Sequence, residues 1–105
     1  MPTDNTVVTA LEAIVRVGID NQLPVYAGDT ASVPRGAMAA LGFDYYDVGV
    51  QTGRIVARVL AGEAPGDIAV QGIETTELHV NPGAAKKMGV TIPEAVLARA
   101  GTVVE

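Results

Sequence analysis

An open, mostly parallel α/β sheet with flanking helices is the class that the sequence predicts, and three observations predict it. Apolar residues recur at helical spacing near the start and again in the middle of the chain. Short uncharged runs bounded by glycine and aspartate lie between and after those segments. Three corners, "PTDN", "YAGD" and "GFDYYD", each set an aspartate where such a run ends or the next helix begins. At 105 residues there is room for one domain and one modest core. A hydrophobic fraction of 49% with 12 glycines and no tryptophan fits a globular chain better than a disordered or fibrous one.

"PTDN" reads as a strand-to-helix corner, since Pro2 cannot donate to a ladder and Asp4 and Asn5 favour caps. Only three residues precede it, so the chain reads as starting in the middle of something. Val7, Leu11, Ile14 and Val15 share one face and predict a first helix from about Thr6 to Val17. Asn5 or Thr6 serves as an alternative cap, and Thr9 and Glu12 stand at capping-box spacing. "NQLPVYAGD" then predicts a turn, a short buried parallel strand around Val25 and Tyr26, and a stop. "TASVPRG" is a loop or short helical turn, and "AMAALGFD" is a second short strand bounded by Gly36 and Asp44.

From Tyr45 the helical period returns, with Val48, Thr52, Ile55, Val56 and Val59 on one side, and a second helix should end near Ala61 at Gly62. Gly49 and Gly53 lie inside it, where close packing on a neighbour would offset the ~1 kcal/mol that glycine costs a helix. "GEAPGD" is a turn and "ETTELHV" a strand. "NPGAAKKMG" predicts a short helix with Asn81 as cap, Pro82 at its first position and Gly89 as stop. In "TIPEAVLARAGTVVE", Pro93 starts a last helical turn through Ala100.

The composition also narrows function. A net charge of -5 with no basic cluster disfavours a nucleic-acid partner. The absence of cysteine removes disulfides, thiolate metal sites and thiol nucleophiles. No apolar run approaches the ~20 residues of a membrane span, and the start lacks the charged-then-apolar order of a signal peptide. His79, between Leu78 and Val80, reads as part of an exposed strand face, and no spaced histidine partner suggests a metal. No nucleophile is paired with a base, so catalysis is not expected.

Ligands of open parallel sheets bind at the carboxyl ends of strands, which makes Asp4, Asp29 and Asp44 candidates for one site, although each alone is explained by helix capping. Carboxylates there accept hydrogen bonds from hydroxyls or an ammonium. Tyr45 or Tyr46 offers a ring face, and Thr30 and Ser32 offer hydroxyls to a ligand carboxylate. Recognition of a small polar ligand without chemistry fits these groups best.

"PTDNTVVTALEAIV", "LPVYAGDTASVPRGAMAALGFDYYDVGVQTGRIVARVLAGEAPGDI" and "NPGAAKKMGVTIPEAVLARA" together resemble the carboxyl-terminal part of ABC transporter substrate-binding proteins of the type I periplasmic-binding fold, in the branch associated with amino acid ligands, tryptophan and tyrosine among them. "GFDYYDVGVQTGR" is the most specific piece. The resemblance implies two α/β lobes joined by a hinge, of which residues 1–105 form a single partial domain, with Met1 where the missing strand's last apolar residue belongs. Its residues 81–105 form a tail that returns toward the absent lobe, leaving Ala84, Ala85, Met88, Val90, Ile92 and Leu97 without their proper packing partner. Carried over to matching positions, it implicates Asp4, Asn5, Asp29, Thr30, Ser32, Phe43, Asp44 and Tyr45 in ligand binding. It further implies no cofactor, a membrane permease as partner of the full-length protein, a periplasmic or cell-surface location for that protein, and self-association through the surface left open. The effector-sensing domain of a transcription regulator shares the fold and is the alternative. A phospho-acceptor receiver domain is disfavoured because Lys86 and Lys87 fall in a helix instead of at a strand end.

Overall fold

The computed structural model describes residues 1–104 in two units, one of residues 1–42 and 77–104 and the other of residues 43–76. Glu105, the last residue of the expected tail, lies outside the described residues. The first unit opens with α1 (Asn5–Thr9) and α2 (Leu11–Asp20), where the apolar period predicts one helix over Thr6 to Val17. Asp4, and neither Asn5 nor Thr6, is the cap, accepting from the backbone N–H groups of Thr6 at 2.9 Å and Val7 at 3.2 Å. The break falls at Ala10 (φ -94°, ψ 15°) after four consecutive β-branched residues, and the Thr9 hydroxyl donates back to the Asn5 carbonyl. No capping box forms between Thr9 and Glu12. Glu12 instead takes a two-pronged contact from Arg35, at 2.9 and 3.0 Å, while Arg35 also donates to the Val8 carbonyl and so clasps the break from the loop opposite.

The sheet is mixed, with strand order β1 (Tyr26–Ala27), β2 (Ala39–Gly42), β3 (Glu77–Val80), β4 (Thr102–Val103). β1 and β2 are adjacent and parallel, as expected, with Tyr26 opposite Ala39 and Ala27 opposite Ala40. β1 is an edge rather than a buried strand, and Tyr26 is accordingly 57% exposed. The Met1 ammonium donates to its carbonyl at 2.7 Å. β3 runs antiparallel to β2, whereas β4 runs parallel to β3. The antiparallel pair follows from the route of the chain, which leaves the sheet at Gly42 and re-enters opposite it at Glu77. A parallel partner would have to re-enter at the other end. α5 (Glu94–Leu97) stops short of the expected end at Ala100, and beyond it Thr102–Val103 forms a strand that the sequence does not predict, too short to show alternation.

The tail is where the structure departs most from expectation. α4 (Pro82–Lys87) forms with Asn81 as cap and Gly89 at φ 74° as its stop, as the sequence predicts. Its residues are not left without partners. Ala85 and Met88 are fully buried and join Val25, Ala37 and Met38 in the core, with Ile14, Val15 and Ile19 of α2 and Val90 and Ile92 packed around them. The Val25 N–H donates to the Met88 sulfur at 3.4 Å. Asn81 also donates to the Val33 carbonyl, so one side chain fixes both the start of α4 and the loop before β2. Gly18 lets α2 approach this core closely, since a Cβ there would lie 2.6 Å from a Val25 methyl and 2.8 Å from the Leu23 carbonyl oxygen.

The second unit contains α3 (Tyr45–Leu60), close to its expected span. Gly62 at φ 102° ends it, and Arg58 donates to Glu63 across the stop, at 2.7 Å from Nε, which holds the Glu63 carboxyl below its ordinary range. Gly49 and Gly53 do not pack on a neighbour, for a Cβ at either would meet nothing within 4 Å. Val48 and Ile55 are half-buried, while Thr52, Val56 and Val59 are exposed.

Met88→Ala is expected to destabilise the chain by about 2–5 kcal/mol through lost burial and a residual cavity, and Gly18→Ala by about 1–3 kcal/mol through overpacking, both read from urea unfolding. Gly49→Ala should instead leave stability unchanged or raise it by under ~1 kcal/mol. The Glu12 carboxyl is held below the usual range, first by its own backbone N–H and then by the Arg35 guanidinium. A lowered folded-state pKa gives a contribution that is present above the ordinary carboxylate range and is lost as pH falls through the lowered value. The acid limb of the stability curve should therefore be shallower in Arg35→Met, the difference staying small at these exposed side chains.

Candidate functional site

In the first unit the candidate residues gather where β1 ends. Gly28 brings two stretches together, since a Cβ on it would lie 3.3 Å from both the Met1 carbonyl oxygen and a Thr3 methyl, which puts the "PTDN" corner beside the carboxyl end of β1. Asp4 is exposed, with one oxygen committed to α1. Asn5 is the exposed first residue of that helix.

Asp29 is half-buried and begins a 3-10 turn, Thr30–Ser32. Its Oδ1 accepts from the Ser32 N–H at 2.8 Å, and the Ser32 hydroxyl lies within 2.9 Å of both carboxylate oxygens. Ser32 is fully buried. Its hydroxyl, expected to face a ligand carboxylate, is turned into Asp29 instead and fixes that carboxylate from behind. The oxygens of Asp29 keep further lone pairs, suited to an ammonium or hydroxyl donor. Thr30 is half-buried against the end of β2, where a Cβ on Gly42 would lie 2.9 Å from the Thr30 methyl.

Gly28 and Gly42 are the positions that the sequence reading overlooked. Their signal was their place, one residue before Asp29 and two before Asp44, since a glycine just ahead of a strand-end aspartate lets a neighbouring backbone come close.

In the second unit, Asp44 caps α3 by accepting from the Tyr46 N–H at 2.7 Å and is exposed. Phe43 and Tyr45 meet edge to face with ring centroids 5.2 Å apart. Tyr45 is 79% exposed, which leaves most of its ring to solvent. Parallel pairing of β1 and β2 sets their carboxyl ends at one edge of the sheet, and Asp29 and Asp44 each follow such an end by two residues. His79 makes a 3.1 Å contact with Glu77 within β3. Among the described residues no three side chains of His, Cys, Asp or Glu group as metal ligands.

The family model described as ABC transporter substrate binding protein matches residues 1–104. A tyrosine-binding protein of Clostridioides difficile is 34% identical over 88 residues, which is 84% of this chain and 26% of that protein. Among solved structures, a conserved domain protein from Vibrio cholerae is 46% identical with a TM-score of 0.80, covering 98% of this chain and 35% of that one. An ABC domain from Streptococcus pneumonia in complex with L-Trp is 35% identical with a TM-score of 0.76, covering 97% of this chain and 35% of that one. The chain thus spans about a quarter of the curated relative and about a third of the solved chains.

Ser32→Ala should cost about 1 kcal/mol, and Asp29→Ala more, about 1–3 kcal/mol, because it leaves a buried hydroxyl without its acceptor. The double variant is expected to cost less than the sum of the two, and a urea-unfolding double-mutant cycle measures that coupling.

Proposed function

The chain belongs to the ABC transporter substrate-binding protein family, and from that premise we propose that it supplies part of the ligand site of a solute receptor for amino acids, aromatic ones in particular. The observation that carries the reading is the Asp29 carboxylate. It is half-buried, held from behind by a fully buried hydroxyl, and keeps acceptor capacity for an ammonium group. In the first unit Asp4, Asn5 and Thr30 add polar groups beside Asp29, and in the second unit the exposed ring of Tyr45, braced by Phe43, suits an aromatic side chain, with Asp44 next to it in sequence. Ser32 acts in this reading through Asp29. Relatives that bind tyrosine or hold L-Trp favour this ligand class over a sugar or an anion.

Binding here is recognition without bond-making. The longer protein delivers its ligand to a membrane permease and works outside the cytoplasmic membrane, where a receptor meets its solute. A site built from a third of the length of its relatives encloses less of a ligand than the whole does, so this chain alone binds weakly.

Titration of the chain with L-tryptophan, L-tyrosine or L-phenylalanine should give saturable shifts in the backbone NMR signals of Asp29, Thr30, Asp44 and Tyr45, with Kd no tighter than about millimolar. Asp29→Asn should remove saturation, and indole, which lacks the ammonium, should not reproduce it. Binding that ignores Asp29→Asn, or shifts confined to other residues, would sink the assignment.

A further inference from the structure

Between the 3-10 turn at Pro65–Asp67 and the start of β3, the chain from Ala69 to Thr76 has no helix or strand. Among the described residues no hydrogen bond between backbone groups holds it. Val70 is fully exposed and Ile73 is 45% exposed, so apolar burial does little to fix the segment. A cleft of about 130 Å³ opens between it and α3, lined by Val48, Gln51, Arg54 and Ile73 among others.

One side chain bridges the gap. Gln51 Nε2 donates to the Gly72 carbonyl at 2.8 Å, and its Oε1 accepts from the Glu74 N–H at 3.4 Å. A single amide thus takes the C=O and N–H of residues two apart, as a neighbouring strand would. Arg54 adds a 4.0 Å contact to Glu74 between largely exposed side chains, a kind of pair that contributes little.

We propose that Ala69–Thr76 is a detachable strap and that Gln51 is the positioning residue that latches it onto α3. Latched, only Thr75 and Thr76 remain free before β3, a reach of about 7 Å at roughly 3.3 Å per residue. Released, the free chain grows to Ala69–Thr76 and its reach to about 26 Å. The latch does not depend on the binding reading above.

Limited digestion of the full chain with a glutamyl endopeptidase tests the latch, because Glu74 lies inside the strap while Glu77 in β3 and Glu94 in α5 report on the rest. Gln51→Leu should speed cleavage after Glu74 by about tenfold while cuts after Glu77 and Glu94 stay within about twofold, and Arg54→Gln should leave all three near their starting rates. An unchanged rate after Glu74 in Gln51→Leu, equal acceleration at all three sites, or a response to Arg54→Gln as large as that to Gln51→Leu would overturn the proposal. Ligand titration is a separate readout, so loss of the binding reading leaves the digestion result interpretable.

Discussion

Met88 is the side chain on which the first unit closes. It comes from the turn after α4, yet its sulfur accepts from the Val25 N–H and its body lies against Ala37, Met38 and Ala85, joining segments more than sixty residues apart in sequence. An unbranched thioether suits that position, because it fills an irregular space among alanines and valines where a β-branched residue would leave gaps. Few large side chains are available for the task in a chain with one phenylalanine and no tryptophan. Close backbone approach at Gly18 against Val25, and the buried alanines Ala39 and Ala40 in the middle of the sheet, do the rest. Such a core is small and depends heavily on each contributor.

The parts of this arrangement that were legible in the sequence are those with local signals. α3, α4 and their glycine stops and the Asn81 cap follow from period, capping chemistry and turn residues that act within a few positions, while the parallel β1–β2 pair follows from the α/β class. The break at Ala10 was not legible, because the apolar period of Val7, Leu11 and Ile14 runs through it unchanged and the cause is a hydroxyl bond and an arginine from a distant loop. β4 was hidden by its length of two residues. The direction of β3 was hidden because direction depends on where an excursion returns, which strand composition does not encode. The packing of the tail departs for a different reason. The resemblance implies a partner from a larger fold, yet α2, against which these residues pack, lies within this chain.

Residue types at strand ends pointed to the candidate site, but not to the division of labour within it. Asp29 and Ser32 look alike on paper as polar loop residues, and only burial separates them, one presenting acceptors and the other steadying them. The same distinction applies to the tyrosines, where Tyr45 has Phe43 at its edge and Tyr46 does not enter that pair. Capping and ligand recognition are compatible uses of one carboxylate. A cap occupies one oxygen's lone pair and fixes the orientation of the rest.

The rung formed by Gly42 and Glu77 closes the β2–β3 ladder, and residues 43–76 leave and return across it. A segment whose two ends meet on one rung is, in evolutionary terms, a cassette. Insertions, deletions and exchanges inside it leave the register of the sheet untouched, and neither end must shift to accommodate them. The sheet and the Met88 core tolerate little change of volume, whereas a loop that leaves and returns at one rung can change without disturbing either. Lengthening or shortening the loop after α3 would leave the sheet as it is.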